Sequence, residues 1–151
     1  GDRITGHNTD AGGVRRALAH HDVDPSGKTV VLVGAGGAAR AIGFMLADAE
    51  CEIHIANRTE SRAVELASAL DAEAFGLSDL PDLLDDADIL INATSVGMEE
   101  DRSPVPSGAL HESLVVMDAV YTPLETTLLA DAVRAGAKTI DGAWMLLFQG
   151  V

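Results

Sequence analysis

The sequence predicts an α/β domain: a doubly wound parallel sheet with helices on both faces. Three observations carry that prediction. Short aliphatic runs alternate with stretches of helical periodicity, several runs are apolar almost throughout, and a glycine-rich turn joins the first run to the helix behind it. Strands buried on both faces read as continuous apolar runs, and βαβ units at this spacing close right-handed into a parallel sheet.

Residues 10–20 read as a leading helix, ended by the turn formers of "DVDPSG". "KTVVLVG" (28–34) is the first strand, followed by a helical pattern over 38–49. "CEIHIAN" (51–57) is the second strand, and a helix over 61–70 follows with Thr59 as its N-cap. "AEAF" (72–75) is a weaker strand candidate, and "SDLPDLLDDA" supplies a helical turn or two. "ADILINA" (87–93) and "LVVMDAV" (114–120) are further buried strands. A helix over 126–135, with Gly136 as its C-cap, leads to a short last strand, "KTI" (138–140). The tail "MLLFQGV" reads as an apolar helix. The chain begins without a methionine and stops inside that pattern, so it reads as a piece of something longer.

A length of 151 residues fits one domain, and 47% apolar residues suffice for a core without disulfides or metal. The single cysteine, Cys51, has no partner for a disulfide. The five histidines show no ligand spacing, and there is no CxxC or HExxH, so no metal site is expected. No apolar run approaches the roughly 20 residues of a membrane span, and no signal peptide is visible. The expectation is a soluble, cytoplasmic chain. A formal charge of −14 would repel a phosphate backbone, which argues against nucleic acid as a partner.

The turn after the first strand is "GAGGAAR" (34–40), in which Gly34, Gly36 and Ala39 take the three positions of G-x-G-x-x-G/A. The first glycine permits the tight turn, the second admits a pyrophosphate to the backbone, and the third, small residue allows close helix–strand packing. A Rossmann-type dinucleotide site is therefore expected along Gly34, Ala35, Gly36, Gly37 and Ala38, with the helix N-terminus drawing the anion. Its alternative is a glycine-rich turn with no ligand.

About 20 residues past such a loop, an NAD-binding domain places an Asp or Glu on the ribose 2′-hydroxyl. Here the second strand ends in "NRTESR" (57–62) instead. A carboxylate 4 Å from a 2′-phosphate would cost about 4 kcal/mol at an effective dielectric near 20. An arginine–phosphate bond instead contributes about 1.5–3 kcal/mol. Asn57, Arg58, Thr59 and Arg62 are thus read as the 2′-phosphate side of an NADP site, with Arg58 also able to stack on the adenine. The alternative for Arg62 is an ion pair with Glu60 or Glu65 on a solvated helix face. Asn92, Thr94 and Ser95 follow a strand and fall at the ligand edge, or serve as turn-forming residues that satisfy their own backbone.

Together, "GHNTDAGG" (6–13), "GAGGAAR", "NRT", "NATSVGM" (92–98), "DAVYTPLETTLL" (118–129) and "DGAWMLLFQG" (141–150) resemble the successive motifs of the shikimate dehydrogenase family. The resemblance covers nearly the whole chain. It implies an NADP-dependent oxidoreductase that interconverts 3-dehydroshikimate and shikimate on the route to chorismate and aromatic amino acids. It also implies two domains, of which residues 1–151 match only the second, cofactor-binding one. The N-terminal substrate-binding domain, with a lysine that pairs with a catalytic aspartate, is absent from this chain. By the same resemblance Asp10 is that aspartate, Tyr121 and Gln149 touch the substrate, and Ala119 and Gly142 line the nicotinamide. At the position of Ala119 the family often carries a larger apolar residue.

The residues agree that the site is half present. Lys28 and Lys138 both start strands, at the edge opposite the ligands of a parallel sheet, so neither can relay the substrate's hydroxyl proton. Without the resemblance, Asp10 would read as an N-cap and Tyr121 as a packed aromatic beside Pro123. Two rival readings stand: a quinate/shikimate dehydrogenase using NAD, and a dinucleotide-binding module without chemistry. The oligomeric state is left open.

Asp outnumbers Glu, and Lys28 and Lys138 are the only lysines. Such a surface suits concentrated salt, where a Debye length of about 3 Å at 1 M screens self-repulsion. The expectation is a halophilic protein whose melting temperature climbs with added KCl; a melting temperature indifferent to KCl would mark an ordinary acidic protein.

Overall fold

The computed structural model describes residues 2–94, 102–119 and 126–142, with residues 2–10 as helical backbone only. Along the chain, α1 (Asp2–His20) leads to β1 (Thr29–Val33), α2 (Gly37–Asp48), β2 (Glu52–Asn57), α3 (Glu60–Leu70) and β3 (Glu73–Gly76). A 3-10 turn and the short α4 (Leu80–Asp85) return the chain to β4 (Ile89–Asn92). Then come β5 (Val115–Asp118), α5 (Thr127–Arg134) and β6 (Lys138–Ile140). The six strands form one parallel sheet in the order β3-β2-β1-β4-β5-β6. After β3 the chain crosses to the far side of β1, so the topological switch point lies between β1 and β4.

Pleating sends alternate side chains of each strand to opposite faces. Val30 and Leu32 of β1 join Ile89 and Ile91 of β4 under α1, α2 and α3, which supply Leu18, Leu46 and Leu66. Val31 and Val33 face the other way and pack with Leu84 of α4 and with Leu128, Leu129 and Ala132 of α5. Both faces of the sheet are therefore dry, which is why its central strands carry almost no polar residues.

Each strand read from the sequence forms within a residue or two of its expected bounds, including the weaker candidates at β3 and β6. Thr59 caps α3, although its side chain makes no capping hydrogen bond. Thr126 does cap α5, its Oγ1 accepting from the Leu129 N–H at 3.3 Å. Gly136, with φ of +82°, stands one residue beyond the Ala135 cap. The Ala137 and Gly136 N–H groups return to the carbonyls of Ala132 and Val133, a Schellman ending that favours glycine.

The leading helix differs from expectation. It starts at Asp2 rather than near residue 10, so Asp10 lies inside α1 and is not its N-cap. Glycine, asparagine and threonine at positions 6, 8 and 9 are poor helix formers, and the early start goes against their propensity. The tail helix expected after residue 142 lies outside the described residues.

Cys51 is free and half-buried; its Sγ donates to the Leu46 carbonyl at 3.1 Å, and burial pushes the thiol's pKa up. Among the described residues, no helix is long and apolar enough to cross a membrane.

Leu32 is fully buried at the centre of the sheet. Leu32→Ala is expected to lower stability by about 2–5 kcal/mol through lost transfer energy and the cavity left behind. Urea unfolding should show it as a lower midpoint at unchanged slope.

Candidate functional site

β1 delivers the chain to the carboxyl edge of the sheet at Gly34. Its N–H donates to the Ala56 carbonyl at 2.9 Å, one step beyond the β1–β2 ladder. Its φ is +121°, and a Cβ there would lie 3.1 Å from the Ala93 carbonyl oxygen and 3.2 Å from Thr94 Cγ2. Conformation and space both require glycine. Gly36, the N-cap of α2, would meet nothing within 4 Å if it carried a Cβ, so a ligand has open access to this backbone. Ala39 is fully buried where α2 lies on the sheet, as the third fingerprint position demands.

Arg40 N–H donates to the Gly36 carbonyl at 2.9 Å, while the N–H groups of residues 37–39 precede this first helical turn. Gly36 has no side chain with which to cap them. Gly37 is exposed, and Ala35 and Ala38 are half-buried. This donor set fits a pyrophosphate: uncapped amides, the positive end of a helix dipole, and no side chain in the way.

At the end of β2, the Asn57 Nδ2 donates to the Thr59 carbonyl at 3.0 Å and folds the turn that carries Arg58. Arg58 and Arg62, the latter in the first turn of α3, are both exposed. Neither makes an ion pair among the described residues, so the alternative pairing of Arg62 with Glu60 or Glu65 does not form. Glu60 leans towards β3 instead: its Oε1 lies 3.2 Å from where a Gly76 Cβ would stand. Two exposed guanidinium groups, neither in an ion pair among the described residues, therefore flank the edge beside the glycine turn.

Beyond the switch point the edge is built differently. Asn92 ends β4 and Asp118 ends β5, and the parallel register sets them side by side. Both are fully buried, and Thr126 is 2% exposed. Asn92 Nδ2 donates to Asp118 Oδ1 at 3.1 Å, and Thr126 Oγ1 donates to Asp118 Oδ2 at 2.7 Å. The Asn92 Oδ1 accepts from the Thr94 N–H at 3.1 Å and from its hydroxyl at 2.7 Å. Asn92 and Thr94 thus take the turn-forming role, organising the chain as it leaves β4. The sequence reading missed Asp118 and Thr126. The available signal was a carboxylate inside the otherwise apolar run "LVVMDAV".

Half-buried Ala119 continues the ladder, its N–H donating to the Asn92 carbonyl at 3.0 Å. Gly142 is buried in the turn after β6. Gly34, Asn57, Thr94, Ala119 and Gly142 all follow or end strands at the carboxyl edge, where open parallel sheets bind ligands. The side chain of Asp10, and Ser95, Tyr121 and Gln149 entirely, lie outside the described residues. Lys138 starts β6 and donates to the His21 carbonyl, and Lys28 precedes β1, so both lysines sit at the opposite edge. Among the described residues no group of three or more His, Cys, Asp or Glu is arranged to hold a metal ion.

Comparison with known proteins agrees with this geometry. A family model described as Shikimate / quinate 5-dehydrogenase matches residues 17–99. The shikimate dehydrogenase (NADP(+)) of Natronomonas pharaonis is 66% identical over 148 residues, which cover 97% of this chain and 56% of the relative. The solved structure of shikimate 5-dehydrogenase from Thermus thermophilus, in complex with NADP(H) and shikimate, matches with a TM-score of 0.83 at 39% identity, covering 94% of this chain and 53% of that one. Quinate dehydrogenase from Corynebacterium glutamicum, in complex with NAD, also matches with a TM-score of 0.83, at 31% identity over 95% of this chain and 54% of that one. The chain spans about half the length of the curated relatives it matches. On fold, site and sequence together, the chain belongs to the shikimate/quinate 5-dehydrogenase family.

Proposed function

We propose that residues 1–151 form the NADP-binding domain of a two-domain shikimate dehydrogenase, which reversibly reduces 3-dehydroshikimate to shikimate. The observation that carries this reading is the exposed Arg58 and Arg62 next to the glycine turn, without an ion pair among the described residues, where an NAD-selective site would hold a carboxylate. The glycine turn and the first amides of α2 take the pyrophosphate, while Asn57, Arg58, Thr59 and Arg62 take the 2′-phosphate and adenosine. Thr94, Ser95, Ala119 and Gly142 border the nicotinamide half. When bound, NADP supplies the hydride donor or acceptor. Asp10, Tyr121 and Gln149 address the substrate, and an N-terminal domain contributes the lysine that shares proton transfer with Asp10. This chain by itself is expected to bind cofactor and turn over little or no shikimate. A salt-rich cytoplasm is the compartment that fits a surface with 24 acidic and 10 basic residues.

Calorimetric titration of the chain in high salt with NADP and with NAD tests the reading. NADP is expected to bind more tightly, and Arg58→Ala to weaken it about tenfold to a hundredfold while leaving NAD unchanged. Gly34→Ala, which obstructs the turn itself, should weaken both. Equal binding of the two cofactors by the unaltered chain would replace this reading with the quinate-type, NAD-using one. Binding of neither would remove the cofactor assignment.

A further inference from the structure

We propose that Asp118 is a positioning residue whose buried carboxylate sets the nicotinamide half of the cofactor site. The inference rests on the dinucleotide reading above. A dinucleotide that crosses the switch point lays one half over the exits of β1 and β2 and the other over the exits of β4 and β5. The first half meets exposed side chains. The second meets an edge whose polar groups point inward.

Asn92 and Asp118 are fully buried and Thr126 nearly so, which leaves them no surface for a ligand. They act through the backbone they hold. The carboxylate joins residues 26 and 8 positions away in sequence, tying the exit of β4, the exit of β5 and the start of α5 into one unit. It also decides which way the Asn92 amide faces. With Nδ2 donating to Asp118, Oδ1 is turned to Thr94, where it accepts both the N–H and the hydroxyl. Reverse the amide and Thr94 loses both bonds. The position of Thr94, two residues past the end of β4, is thus tied to a carboxylate on the next strand.

Stability alone does not account for this arrangement. A carboxylate withdrawn from water is unfavourable unless well hydrogen-bonded, and apolar residues of similar volume often serve a core as well or better. What the network adds is specificity of geometry: among the described residues it links Asn92, Thr94, Asp118 and Thr126 by directed hydrogen bonds. In Asp118→Asn, an NH₂ donor takes the place of one carboxylate oxygen and is set against the Asn92 amide donor or the Thr126 hydroxyl.

The test compares two ligands in the full-length protein that carries this chain: NADP, and 2′,5′-ADP, which keeps the phosphorylated adenosine half and lacks the nicotinamide. Asp118→Asn and Thr126→Val should bind 2′,5′-ADP within about twofold of the unaltered protein and NADP about tenfold more weakly. Thr126→Ser, which keeps the hydroxyl, should bind both normally. Variants that bind NADP normally, or that lose both ligands in equal measure, would overturn the proposal, because a merely structural role gives no split. If Asp118→Asn does not fold, the contrast between Thr126→Val and Thr126→Ser decides by the same split. Should the unaltered protein bind neither ligand, the dinucleotide reading fails, and this inference with it; the control separates that failure from a failure of the network alone.

Discussion

Gly34 is pressed against the Ala93 carbonyl, and the rest of the carboxyl edge is arranged around that contact. It exists because β1 pairs on one side with β2 and on the other with β4, in registers that match Val33 with Ala56 and with Asn92. The Gly34 N–H then reaches the Ala56 carbonyl, and the Ala93 N–H reaches that of Val33 at 2.8 Å. Three strand exits are held level by these backbone bonds. A side chain at position 34 would push the turn away from β4 and break that alignment. The glycine turn, the end of β2 and the end of β4 thus form one shelf, with α2 standing on it by its N-terminus.

Much of this shelf was legible in the sequence. Burial on both faces forces apolar runs, so the strands announced themselves, and the spacing of Gly34, Gly36 and Ala39 marks a strand-to-helix turn. Arg58 was legible by the sign of its charge at a position where an NAD-binding domain would hold a carboxylate. The start of α1 was not, since local propensity at residues 6–9 argues against a helix that nevertheless continues through them. Nor was the partnership of Asn92, Asp118 and Thr126. Their contact depends on β4 and β5 lying side by side with Asn92 matched to Asp118, and a register across a sheet is not written in either strand alone.

The two sides of the switch point differ in kind, as the two halves of the proposed dinucleotide would require. A 2′-phosphate is a solvated, doubly charged group, and binding it requires only opposite charge within a few ångströms. Long exposed arginines suffice, because their freedom lets them follow the phosphate. A reacting carbon has to be held to a fraction of an ångström, which mobile surface side chains cannot do. Short, buried, mutually bonded groups are suited to that task, which is the role proposed for Asn92, Asp118 and Thr126.

On the same reading, this division lets an acidic protein attract an anion. With a Debye length of about 8 Å at physiological ionic strength and about 3 Å at 1 M, distant carboxylates are screened from the ligand, whereas contacts made at bonding distance are screened much less. The formal charge of −14 is therefore felt mainly at long range, where salt cancels it. Arg58 and Arg62 act at short range, where their own charge decides the sign. Rising salt would weaken such an exposed clamp somewhat, whereas a buried network such as that of Asp118 is screened much less. On the proposed reading, the geometry near the nicotinamide rests on buried hydrogen bonds and only the selection of the cofactor on surface charge.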